Sequence, residues 1–118
     1  MYADSNVPTL HLYAGLTYLD LDQPKDAWEA FAQVDGLHPK VAMGDWTRLE
    51  FLNLQTKAAT AMKDQERSRT YLEASMKLAH KLDSRVGRNE AFEAWQQMRV
   101  VWSGDPSVKK LSSLFLKK

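Results

Sequence analysis

The stretch Ala14–Phe31, "AGLTYLDLDQPKDAWEAF", decides how the rest of the chain is read. Two helical segments meet at a break between Leu21 and Pro24. The first carries Leu10, Tyr13, Ala14, Thr17 and Tyr18 at helical spacing. The second opens on Pro24, whose missing N–H costs nothing in a first turn, with Asp26 near the positive end of the helix dipole. Its apolar stripe is Ala27, Trp28, Phe31 and Val34. Gly36 ends it and Pro39 marks the following turn. Gly15 and Ala27 are small where two helices of a hairpin would cross closely. Tyr18 and Phe31 are large where space between that hairpin and its neighbours would need filling.

Working outward, the punctuation repeats. Asn6-Val7-Pro8 reads as the start of the first helix, with Pro8 in its first turn. A third helix is expected from about Val41 to Met62, with a broad apolar face that includes Leu49, Phe51, Leu52, Ala58 and Ala59. Lys63-Asp64 is a turn. A fourth helix runs from Gln65 to Leu82, with Ser68, Leu72, Ser75, Met76 and Ala79 on one stripe. Asp83-Ser84 breaks it. A fifth holds Ala91, Phe92, Trp95, Met98 and Trp102, and Ser103-Gly104 stops it. Asp105-Pro106 is cap and first-turn proline for a last helix reaching Leu116. Alternating β-branched runs are absent. The fold expected is all-α, about six helices with short loops and antiparallel neighbours, in one domain over 1–118.

Composition narrows the function classes. With 118 residues, 44% apolar and 26% charged, the chain can build one modest core. A net charge of +1, from 16 basic and 15 acidic residues, argues against direct nucleic-acid binding through bulk electrostatics. Lys109, Lys110, Lys117 and Lys118 make a basic end that reads as a solvated face. No cysteine is present, so there is neither a disulfide framework nor a thiolate metal site, which fits a reducing cytoplasm. No apolar run has the length of a membrane span, and no membrane partner is expected. His11, His38 and His80 have no metal-ligand spacing, and Asp20 and Asp22 flank a turn. Phosphate loops, nucleophile elbows and nucleotide fingerprints are missing. The expectation is a binding protein, not an enzyme, without metal or cofactor. Trp28, Trp46, Trp95 and Trp102 are expected to pack between helices, with one or two available to an interface.

The spacing of the opening stretch resembles the tetratricopeptide repeat, about 34 residues with the pattern W-x2-L-G-x2-Y, A-x3-F and P. His11, Ala14, Gly15 and Tyr18 fall on the first part, Ala27 and Phe31 on the second, and Pro39 on the last. His11 and Ala14 replace the usual Trp and Leu. The resemblance covers 8–41. It fades over 42–84, where Thr56, Ala59, Ser68 and Leu72 take the Gly, Tyr, Ala and Phe positions. Over 85–116 only the hairpin outline remains, as is usual near the end of an array. A looser likeness, in "YLEA", the break "DS", "EAFEAWQQM" and W-x3-P-x-V-x2-L, is to the C-terminal region of bacterial helix-turn-helix transcriptional regulators.

These resemblances imply a right-handed superhelix of stacked hairpins that binds a protein or peptide, as the sensor or interaction half of a cytoplasmic regulator. The family's groove positions carry over to Leu12, Leu16 and Leu19 in the first hairpin, and to Glu50, Asn53 and Lys57 in the second. Asn53 and Lys57 would hold a peptide backbone and a carboxylate. The lysine and arginine set that clamps chaperone tails is not evident. The alternative is a self-association scaffold without a specific ligand, and the N-terminal edge, bearing Leu10, Leu12, Tyr13, Leu16 and Leu19, is the surface expected to form a homodimer.

Overall fold

The computed structural model describes residues 2–36 and 44–116, and all regular structure among them is helical. The order is α1 (Tyr2–Asp20), α2 (Pro24–Ala32), a 3₁₀ turn (Gln33–Gly36), α3 (Asp45–Ala61), α4 (Gln65–Lys81), α5 (Arg85–Val101), α6 (Pro106–Lys110) and α7 (Ser113–Leu116). Consecutive helices from α1 to α6 pack on one another, and α3 also packs directly on α5. The array is long and thin, 48 × 33 × 20 Å.

α3, α4 and α5 are each 17 residues long and are separated by three residues. One backbone device closes the helices before those links. Asp22, Lys63 and Asp83 sit in the left-handed region at φ 57°, 61° and 50°. In each case the next residue donates its N–H five residues back: Gln23 to the Tyr18 carbonyl at 2.8 Å, Asp64 to Ala59 at 2.9 Å and Ser84 to Ala79 at 2.8 Å. This is the double-bonded helix stop that satisfies two orphan carbonyls at once. Asp64 and Ser84 then cap the following helix, accepting from Arg67 N and Gly87 N.

Four sequence expectations differ from what is observed. α1 does not start at Pro8 but runs through it from Tyr2, so Pro8 withholds one ladder hydrogen bond in a helix interior. α3 begins at Asp45, with Gly44 extended as its N-cap. The expected last helix is two short pieces. Leu114 and Phe115 donate to the carbonyls three residues back and Ser113 Oγ donates to the Lys110 carbonyl, tightening the chain around Leu111-Ser112. Tyr18 is exposed rather than filling an inter-hairpin space. Pro39, His38, Val41, Lys117 and Lys118 lie outside the described residues.

Two apolar cores run along the array. The first joins α1 to α4 through Ala27, Trp28, Phe31, Val34, Phe51, Ala58 and Ala59, with Leu12, Leu19 and Tyr71 packed against it. Phe31 meets Phe51 edge-on at 6.1 Å, and Trp28 meets Tyr71 edge-on at 4.8 Å, so α2 is keyed to both α3 and α4. Gly15 has no room for a side chain, since a Cβ there would lie 2.2 Å from Phe31 Cε1. The second core joins α4, α5 and α6 through Leu72, Met76, Ala91, Ala94, Trp95, Met98, Val108 and Leu111. Trp95 Nε1 donates to the Val108 carbonyl at 2.9 Å, and Phe92 and Phe115 stack around the same indole, closing that end with aromatic rings.

Candidate protein-binding face

Between the helices of the middle hairpin runs a strip of small and polar side chains. Asn53, Thr56, Thr60, Ser68 and Ser75 are all buried. Thr56 and Thr60 donate to the carbonyls four residues back, at 2.8 Å each, and Thr60 Oγ1 stands 3.1 Å from Ser68 Oγ across the α3–α4 contact. Ser75 Oγ donates to Asn53 Oδ1, and Asn53 Nδ2 donates to the Gly87 carbonyl at 3.4 Å. Asn53 therefore ties α3 to both α4 and α5. Gly87 makes that approach feasible, because a Cβ there would fall 2.4 Å from Leu49 Cδ2.

Above this floor, α3 and α5 share a solvent-facing strip. Glu50 and Lys57 are exposed on α3, and Glu90 and Glu93 face them from α5, half-buried and exposed respectively. Partial burial pushes the Glu90 carboxyl above the ordinary carboxylate range. The Lys57 ammonium opposes that shift, and the Glu50 and Glu93 charges add to it. Two charged groups on α3, Glu50 and Lys57, and one on α5, Glu93, thus lie within electrostatic reach of Glu90.

The residues expected to line a groove separate into two sets. Glu50 and Lys57 stand on this strip. Asn53 does not contact solvent: it is 2% exposed and its amide is committed inside, which corrects its expected ligand role. Leu12 and Leu19 pack against the first core and Leu16 is half-buried, so the α1 leucines serve packing first. Sequence reading missed Glu90 and Glu93, whose i, i+3 spacing on a continuous helix was the available signal, and missed Gly87 as the point where α5 meets α3.

A cleft of about 770 Å³ lies between the first turns of α2 and α4. Trp28 forms its floor, the Arg67 guanidinium lies 5.0 Å over the indole, and Asp64 holds Arg67 at 3.5 Å. Arg67 is thereby occupied by groups of its own chain. Trp46, by contrast, is 62% exposed beside the α3 end of the charged strip. Among the described residues no three His, Asp or Glu side chains form a group able to hold a metal ion, and no helix is long and apolar enough to cross a membrane. Comparison with protein-family models, with curated proteins and with solved structures gives no match to this chain.

Proposed function

We propose that this chain is a protein- or peptide-binding helical module that engages its partner on the α3–α5 face. The observation that carries the reading is the approach of Glu50 and Lys57 on α3 and Glu93 on α5 to Glu90, across two helices that pack directly on each other. The Asn53 bond to the Gly87 carbonyl and the close approach of Gly87 to Leu49 join α3 to α5, so these charges are presented on packed helices rather than on loops. Three carboxylates around one ammonium favour a partner segment bearing basic side chains, with Lys57 available to an acidic group or a backbone carbonyl. Exposed Trp46 at the end of the strip supplies the kind of aromatic anchor that interfaces favour. The likeness of the second half to bacterial regulators supports a place as the cytoplasmic interaction domain of such a protein, with binding rather than catalysis as its task.

Selection from a displayed random-peptide library tests this. Peptides rich in Lys or Arg are expected to be enriched. In calorimetry they should lose about tenfold or more in affinity on Glu50→Lys or Glu93→Lys, a change of roughly 1.4 kcal/mol or more. Enrichment of peptides that bind the charge-reversed chain equally well would remove the face from the account.

A further inference from the structure

Among the described residues, the outer face of α1 is apolar and exposed. Leu10 is 65% exposed, Tyr13 63% and Leu21 59%. Leu10, Ala14, Thr17 and Leu21 step by four, three and four, the spacing that holds side chains on one seam of a helix. Gly15, Leu12 and Leu19 point the other way, toward the first core. Thr17 Oγ1 donates to the Tyr13 carbonyl at 2.9 Å, which leaves its methyl group for contact. No Asp, Glu, Lys or Arg occurs from Thr9 to Leu19.

The seam is symmetric. Its steps are the same from either end, with large leucines outside and two small residues inside. A second copy running antiparallel, related by a two-fold axis level with the Gly15–Leu16 bond, sets Leu10 against Leu21 of the partner subunit. The same axis sets Ala14 against Thr17 of the partner subunit. Small residues at the centre allow the helix axes to come within about 8 Å. On one flank Tyr13 then lies at nearly the level of Asp20 of the partner subunit, where the phenol can donate to the carboxylate.

We propose that α1 is a homodimerisation helix, with a second copy of this chain packed antiparallel along Leu10, Ala14, Thr17 and Leu21, the last continuing the final turn through its N–H to the Thr17 carbonyl. Leu10, Tyr13, Leu21 and their neighbours would bury roughly 500 Å² per protomer, short of the usual ~800 Å² of a stable interface. The dimer is therefore concentration-dependent rather than obligate. This inference concerns α1 alone and is independent of the α3–α5 reading.

Sedimentation velocity on the full chain across a dilution series is the test. The wild type should pass from dimer to monomer. Leu10→Lys and Leu21→Glu should each weaken the dimer by about tenfold or more. Combining the two should restore much of the loss, because the opposite charges meet across the axis. On one helix the same positions are about 16 Å apart and cannot pair. Circular dichroism should show every variant as helical as the wild type, since these sites are exposed. A wild type that stays monomeric throughout overturns the proposal, as do single variants that dimerise normally. A double variant no tighter than the singles overturns the antiparallel register.

Discussion

Two glycines are held to their identity by contact, not by turn geometry. Both sit inside helices, where glycine is otherwise unfavourable by about 1 kcal/mol relative to alanine. A Cβ at Gly15 would press on the ring of Phe31, which is fully buried and braced by Phe51. At Gly87 it would press on the tip of Leu49, which can rotate. Gly15→Ala is therefore expected to destabilise by about 1–3 kcal/mol, and Gly87→Ala by clearly less, since helix propensity offsets a small repacking cost. Urea unfolding of the two variants should rank them in that order. The role of Gly15 was legible in the sequence because small Gly15 and large Phe31 sit at the spacing of two helices that pack against each other. That of Gly87 was not, because the pairing of α5 with α3 skips a helix and leaves no mark on local spacing.

Among the elements, the middle hairpin differs from the others in what lies between its helices. Elsewhere the contact is apolar and aromatic, whereas α3 meets α4 through Thr56, Thr60, Ser68 and the Asn53–Ser75 pair. Removing one partner strands the other inside. Asn53→Ala should cost about 1–3 kcal/mol. Asn53→Ala with Ser75→Ala should cost less than the sum of the two single changes, and a double-mutant cycle with zero coupling would contradict the pairing. The stripe Ser68, Leu72, Ser75, Met76 and Ala79 identified the buried face of α4 correctly from spacing alone. Asn53 was misread because the tetratricopeptide groove positions were carried onto α3, where they placed its side chain toward a ligand. Only the partners, Ser75 on α4 and the Gly87 carbonyl on α5, explain its burial, and both are distant in sequence.

At the scale of the whole molecule, the two ends contrast. The α6 end is tied back to α4 by Gln65 Nε2 donating to Asp105 Oδ2 at 2.8 Å, while the same carboxylate caps α6 through Ser107. The hydrogen bond from Gln65, then those from Ser107, hold the Asp105 carboxyl at about 2, below its ordinary 3.8. A depressed carboxyl stabilises the fold above its unfolded pKa, and that contribution is lost as pH falls from about 4 to about 2. Thermal melts should accordingly show part of the acid sensitivity vanish in Asp105→Asn, while the pH 7 melting point falls modestly. The α1 end is open and the α3–α5 face lies between the two. Helix order and most turn positions could be read from periodicity and punctuation, whereas the division into two cores and the face could not, because the face is assembled from two helices that are not consecutive. The most direct measurement of the central claim is an amide-shift map of the isotopically labelled chain titrated with a selected basic peptide. The account predicts that the largest shifts gather at Glu50, Lys57, Glu90 and Glu93. Shifts centred instead on Trp28 and Arg67, in the cleft between α2 and α4, would contradict it.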